Sequence, residues 1–235
     1  MKRVLIVGSQ HGNELLGGQL YEYLRERPID GLRVDFYLAN QRAHKAGVRY
    51  VESDMNRSYG PGEQTYERGR AARLLSHLSE HQYDLVLDAH TTTVEQEPCF
   101  IAASIDGPAA AFMRACHITN VVVMEHEFVR QSLIGHVAQA VSVEISNSQL
   151  TDELFERLRD DLVAYAVGAK PYSRKQVFAV RELLKKTEVS DPDAPMENFR
   201  LSSDGFYPVL VGENSYKKQT DYLGFKAESK RTINI

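Results

Sequence analysis

Short apolar runs alternate along this chain with longer stretches whose apolar positions recur every three or four residues. Val4-Leu5-Ile6-Val7 is the first run, unbroken as in a strand buried on both faces. Val34 to Ala39, Asp84 to Asp88, Cys99 to Ala103, Asn120 to Met124 and Ala140 to Ile145 read the same way. Between them, Leu16, Leu20, Tyr23 and Leu24 share one helical face, as do Ala71, Leu74, Leu75 and Leu78. A short helix is predicted around Ala109 to Cys116. A long one is marked by Leu154, Phe155, Leu158, Leu162 and Tyr165, with Asp152 and Glu153 near its start, where the helix dipole favours acids. This alternation predicts an α/β fold: a mainly parallel, mixed sheet flanked by helices. Beyond Lys170-Pro171 the pattern changes. Gln176 to Val180 and Gly205 to Leu210 read as strands with no helix between them, separated by a loop at 190–195. The chain thus divides into a main domain of residues 1–169 and a small β-rich appendage of residues 170–235.

The turn after the first strand carries the most chemistry. In Gly8-Ser9-Gln10-His11-Gly12-Asn13-Glu14, an imidazole and a carboxylate sit between a strand and a helix. In open α/β sheets that turn lies at the carboxyl ends of the strands, where ligands bind. Two glycines allow a sharp bend and a close approach. His11 and Glu14 can share one divalent cation, and the pair suits a catalytic zinc. Alternatively, Glu14 merely favours a helix N-terminus and His11 is incidental.

Two further strands end in reactive residues. His90 follows Asp84 to Asp88 and offers a third ligand, leaving a position for water. Asp88 points to the same side of the strand and can orient an imidazole. Glu144 can move a proton from water to a leaving amine. Taken singly, His90 is also readable as a strand-end histidine bonded to the backbone, and Glu144 as a cap on the next helix. His126, flanked by two glutamates after the strand at Asn120 to Met124, is the rival to His90 as third ligand. His77 and His81 have a helical metal-pair spacing, but they precede the strand at Asp84 and belong to the opposite edge. His44, His117 and His136 read as surface or packing residues.

The segment from Asn40 to Gly62 is long, polar and structureless by pattern, a length usually functional in a compact domain. It supplies Arg49 and Asp54-Met55-Asn56-Arg57-Ser58-Tyr59. An adjacent Asn and Arg suit a carboxylate, and a second Arg can steady an oxyanion. Solvated loop charges are the alternative.

Composition narrows the field. Over 235 residues, 43% are hydrophobic and 26% charged, with a net charge of −4, so no basic surface for nucleic acid or membrane is expected. No apolar run reaches the roughly 20 residues that span a bilayer, and the apolar stretch behind the basic Met1-Lys2-Arg3 is too short to be expected to act as a signal peptide. Two cysteines, Cys99 and Cys116, are too few for a disulfide framework, and a cytoplasmic location is expected.

His11-Gly12-Asn13-Glu14, Asp54-Met55-Asn56-Arg57, Asp88-Ala89-His90-Thr91-Thr92 and Val143-Glu144, in that order, resemble the aspartoacylase/succinylglutamate desuccinylase family of zinc amidohydrolases. The resemblance runs on through Tyr207-Pro208-Val209-Leu210, Tyr216 and Phe225-Lys226-Ala227. It implies a zinc-carboxypeptidase-like catalytic domain in residues 1–169 and one zinc ion per chain on His11, Glu14 and His90. It further implies Glu144 as general base and acid, Arg49 at the scissile carbonyl, and Asn56 and Arg57 on a substrate carboxylate. Tyr216 would reach in from the appendage. The substrate class it implies is a small N-acylated amino acid or similar carboxylate-bearing amide, and a homo-oligomer is compatible with it.

This chain departs from the family in places. Glu144 is followed by Ile145-Ser146-Asn147 rather than Gly-Pro, and Arg130 and Ile134 stand where aspartoacylase proper uses a Tyr and an Arg. Two other functions compete. One is a zinc carboxypeptidase acting on peptides. The other is a non-catalytic metabolite-binding domain using Gly8 to Gly12 as a phosphate loop, although G-x-G-x-x-G and the P-loop Lys-Ser/Thr are absent.

Overall fold

The structure, a computed structural model, describes residues 1–189, 191, 192, 194–214 and 220–235. Nine strands lie among them: β1 (Lys2–Gly8), β2 (Leu32–Leu38), β3 (Leu85–Thr92), β4 (Cys99–Ala102), β5 (Asn120–Met124), β6 (Ala140–Ser146), β7 (Arg174–Lys185), β8 (Tyr207–Val209) and β9 (Tyr222–Asn234). They form one sheet in the order β2-β1-β3-β6-β4-β5-β7-β9-β8. The pairs from β2 to β6 are parallel; β4 then runs antiparallel to β6, β5 and β7 follow β4's direction, and β8 and β9 close an antiparallel edge. The mixed sheet with a mainly parallel core matches the α/β expectation.

The alternation of side chains divides the core into two layers. Val4, Ile6, Leu85, Leu87, Val141 and Val143 face one side, covered by α1 (Leu16–Glu26), α4 (Ala110–Ala115) and α7 (Asp152–Ala166). Leu5, Val7, Val86, Val122 and Phe178 face the other. There they meet α3 (Tyr66–Glu80), the short helices α5 (His126–Val129) and α6 (Leu133–His136), and Met55 and Tyr59 of the long loop. β3 is buried throughout, as its apolar run requires. Among the described residues, no helix is long and apolar enough to cross a membrane.

Three elements differ from the sequence pattern. The segment from Asn40 to Gly62 contains a helix, α2 (Gln41–Ala46), and a 3-10 turn at Met55–Arg57, each started by a polar cap: Asn40 accepts from Ala43 N–H and Asp54 from Asn56 N–H. β3 continues past Asp88 to Thr92, so His90 lies within the strand rather than beyond it. β9 was not visible among its charged residues, yet Leu223, Phe225 and Ala227 are buried at alternate positions against β7. Residues from Arg174 onward extend the same sheet, β7 lying parallel beside β5.

Candidate active site

β1, β3 and β6 are consecutive in the sheet and parallel, so their carboxyl ends share one edge. Val7 is level with Asp88, and His90 with Glu144. Asp88 and His90 are two residues apart on β3, and Ser142 and Glu144 on β6, so each pair projects from the same face. That face is the layer of Val7 and Val86.

Beyond β1 the chain turns abruptly. Ser9 adopts a positive φ of 54°, and the Glu14 N–H donates to the His11 carbonyl at 3.0 Å. Gly12 lies against the backbone of α2: a Cβ there would stand 2.1 Å from the carbonyl carbon of Ala43. Gly12 N–H also donates to the Arg49 carbonyl at 3.0 Å, which joins the turn to the long loop. Gly17 is needed for packing, because its Cβ would come within 2.7 Å of Gly8 Cα.

This fold brings His11, Glu14 and His90 together, all buried. His11 Nδ1 lies 2.7 Å from Glu14 Oε1, and His90 Nδ1 lies 2.9 Å from Glu14 Oε2. The ligand atoms of the three residues all fall within 4.8 Å of one another. Each imidazole is backed on its other nitrogen by a second carboxylate: His11 Nε2 by Asp54 Oδ1 at 3.0 Å, His90 Nε2 by Asp88 Oδ2 at 3.0 Å. Carboxylates in that position fix the tautomer and turn the free nitrogen toward a metal. The donor set therefore fits a divalent ion such as zinc: two imidazoles and one carboxylate, oriented from behind.

The electrostatics follow from burial and crowding. Burial disfavours the charge on Glu14, but His11 and His90 outweigh it and hold the carboxyl below its usual range. Burial likewise opposes protonation of His90, yet Asp88 and Glu14 raise it well above the ordinary imidazole value. His11 is raised too, its burial overcome by Glu14 and Asp54 against the opposing charge of Arg49. Glu144 behaves oppositely. Burial is the dominant influence, and with Glu14 and Glu213 nearby its carboxyl is pushed up to about 8 despite His90.

Arg49, Asn56 and Arg57 line the same cleft. Arg49 Nη2 donates to Asp54 Oδ2 at 3.2 Å, and its Nη1 lies 3.8 Å from Glu14 Oε1. Asn56 Oδ1 is buried without a hydrogen-bond partner, and Arg57 is exposed at the mouth. Apolar side chains, among them Ile101, Met124, Phe128, Ile134 and Phe225, line the rest together with Thr91, Thr92, Ser132, Ser142 and Glu213. Tyr216 lies outside the described residues.

The other histidines stand apart. His126 is exposed on α5. The reading that placed it on the active edge fails because β4 reverses direction, so β5 runs opposite to β3 and ends at the other edge. His77 stacks on His81 at 4.4 Å, before β3 begins.

Several residues that shape the site carry almost no pattern in the sequence that marks them. Glu67 on α3 is fully buried and accepts from Val51 N–H at 2.7 Å, Glu52 N–H at 3.2 Å, Ser53 N–H at 3.1 Å and the Asn40 amide at 3.2 Å. One turn on, Arg70 donates to the carbonyls of Ala39 and Leu38 at 2.7 and 2.9 Å. Asp88 also accepts from Gln10 Nε2 and Ser142 Oγ, both at 2.7 Å, and Tyr59 OH donates to Gln10 Oε1 at 2.7 Å. Glu213 Oε2 accepts from Thr92 Oγ1, Thr93 N–H and Thr93 Oγ1 at 2.7, 2.8 and 3.0 Å, holding the segment after β8 against the end of β3. The i,i+3 spacing of Glu67 and Arg70, charged residues just before the apolar stripe at Ala71, is the one available signal.

Residues 1–158 match the model of the succinylglutamate desuccinylase/aspartoacylase catalytic domain. A probable aspartoacylase of Prochlorococcus marinus is 31% identical over 112 residues, 42% of this chain and 37% of the relative. The human N-acyl-aromatic-L-amino acid amidohydrolase (carboxylate-forming) is 33% identical over 120 residues, 44% of this chain and 38% of the relative. These alignments span less than two fifths of the relatives' lengths. Among solved structures, murine aminoacylase 3 superposes with a TM-score of 0.70 at 20% identity, covering 99% of this chain and 97% of that one. Succinylglutamate desuccinylase of Chromobacterium violaceum gives a TM-score of 0.67 at 18% identity, over 100% of this chain and 85% of that one.

Proposed function

Since the chain belongs to the succinylglutamate desuccinylase/aspartoacylase family, we propose that it is a zinc-dependent amidohydrolase that cleaves the amide bond of a small N-acylated amino acid. The observation that carries this reading is the convergence of His11, Glu14 and His90, each imidazole backed by its own carboxylate, with Glu144 beside them on the next strand. One zinc ion held by these three residues would supply an activated water and polarise the scissile carbonyl.

The chain's own residues do the rest. Glu144 accepts a proton from water and returns it to the departing amine, and its raised affinity for protons suits that exchange. Arg49, steadied by Asp54, offers its guanidinium to the oxygen on which charge develops. Arg57 and Asn56 at the mouth bind the carboxylate of the amino acid. Ile101, Met124, Phe128 and Ile134 support an apolar group on the substrate, in place of a second charged one. Tyr216 is proposed to contribute to the same pocket. Leu210 and Glu213 narrow the cleft and favour a small amide over a peptide. Cys99 and Cys116, both buried and unpaired, are consistent with a reducing compartment such as the cytoplasm.

The test is metal analysis of the purified protein together with the Glu144→Gln variant, assayed on N-acyl amino acids and short peptides. About one zinc in the His11 site of both proteins is expected, with hydrolysis reduced roughly 10²- to 10⁴-fold in the variant alone. A His11→Ala/His90→Ala variant that keeps the parent's metal content would overturn the metal assignment. Parent activity in Glu144→Gln would overturn the mechanism, and preference for peptides would favour the carboxypeptidase alternative.

A further inference from the structure

A second set of ligand atoms converges on the opposite face of the sheet, in the layer covered by α4 and α7. Cys116 ends α4, His117 follows it, and Asp161 projects from α7. Cys116 Sγ lies 2.9 Å and His117 Nδ1 2.6 Å from Asp161 Oδ2. The thiol, imidazole and carboxylate atoms all fall within 4.8 Å of one another, as do the ligand atoms of His11, Glu14 and His90.

One carboxylate oxygen of Asp161 draws in two side chains at once. A thiol is a weak donor, yet here it is fully buried and shares one carboxylate oxygen with an imidazole. A divalent cation would satisfy all three groups at once. The scaffold around them is firm: Asp161 Oδ1 accepts the His117 N–H at 2.9 Å. Lys175, itself fully buried, donates to the carbonyls of Cys116 and Ile118 at 2.7 and 2.6 Å, so its ammonium is engaged with the backbone of the turn. There is also a way in. The His117 side chain is 13% exposed and lines a surface groove with Glu153 and Arg157.

We propose that Cys116, His117 and Asp161 bind a second divalent metal ion, separate from the active site, which ties α7 to the turn before β5. Thiolate with imidazole selects zinc over the hard cations magnesium and calcium, and two anionic donors balance its charge. Water from the groove completes the tetrahedron. Binding displaces the thiol proton to solvent, and nothing is oxidised or reduced.

Cobalt substitution of the intact protein tests this cleanly, because the first trio contains no sulfur and only a thiolate ligand gives a thiolate-to-cobalt charge-transfer band. The parent should take up about two equivalents of metal, and the His11→Ala/His90→Ala variant about one. The charge-transfer band should persist in that double variant and in Cys99→Ser, and vanish in Cys116→Ser. His117→Ala, at a partly exposed position, gives a second reading should Cys116→Ser fail to fold: it should lose one equivalent of metal, and the band with it. A parent with no charge-transfer band, or metal content unchanged by both Cys116→Ser and His117→Ala, overturns the proposal. Failure of the active-site assignment would appear separately, as unchanged metal uptake in the double variant.

Discussion

His90 and Glu144 are direct register partners on the neighbouring parallel strands β3 and β6. A proposed metal ligand and the proposed proton carrier are therefore spaced by a backbone ladder rather than by loops. Shortening the carboxylate by one methylene, as in Glu144→Asp, withdraws it while leaving the ladder intact. Catalytic geometry tolerates little displacement, and about 1 Å can cost roughly 10²-fold in rate. We expect kcat to fall by about that factor with metal content unchanged, as measured by steady-state kinetics beside metal analysis.

Asp88 holds His90 Nε2 and is itself held by Gln10 and Ser142. Asp88→Asn removes the charge that orients and polarises the imidazole. Loss of such a partner typically costs 10- to 100-fold in metal affinity. Competition with a chelator of known affinity should show a weakening of about that size, with the fold retained by circular dichroism.

Burial raises the Glu144 carboxyl from its unfolded value of 4.5 to about 8 in the metal-free protein. Between those pH values the native state keeps a proton that the unfolded state has lost. The contribution is therefore fully present below the lower value and is lost as pH rises through the upper one. Denaturant melts of the apoprotein should show the parent losing stability relative to Glu144→Gln across that window, by on the order of a few kcal/mol. Parallel pH profiles for the two proteins would contradict this.

Gly12 has no room for a side chain, since a Cβ would meet backbone atoms of Ala43 and His44 at 2.1 and 2.2 Å. Gly12→Ala must push the turn away from α2 and break the hydrogen bond to the Arg49 carbonyl. Destabilisation of roughly 1–3 kcal/mol is expected, along with weakened zinc binding, measured by thermal melts with and without added zinc.

What could be read from the sequence was what obeys local rules. The unbroken runs at Val4 to Val7 and Asp84 to Asp88 predict parallel strands, and the edge rule then gathers His11, Glu14, His90 and Glu144. The misplacement of His126 came from β4, a four-residue strand whose sequence carries no mark of its direction. Lysines and glutamates hid β9, because an edge-side strand buries only alternate residues. Gln10, Tyr59 and Glu213 were illegible for a different reason: their partners lie 78, 49 and about 120 residues away, and such buried polar pairings leave no periodic trace.

Glu67 grips the long loop through the main-chain amides of Val51, Glu52 and Ser53. Every amino acid except proline offers that amide, so the grip is indifferent to the side chains it holds. Residues 51–53 can thus change by point substitution while the loop that carries Arg49, Asn56 and Arg57 to the cleft keeps its shape. Such changes leave the turn of His11 and Glu14 untouched, provided that Glu67 itself is kept.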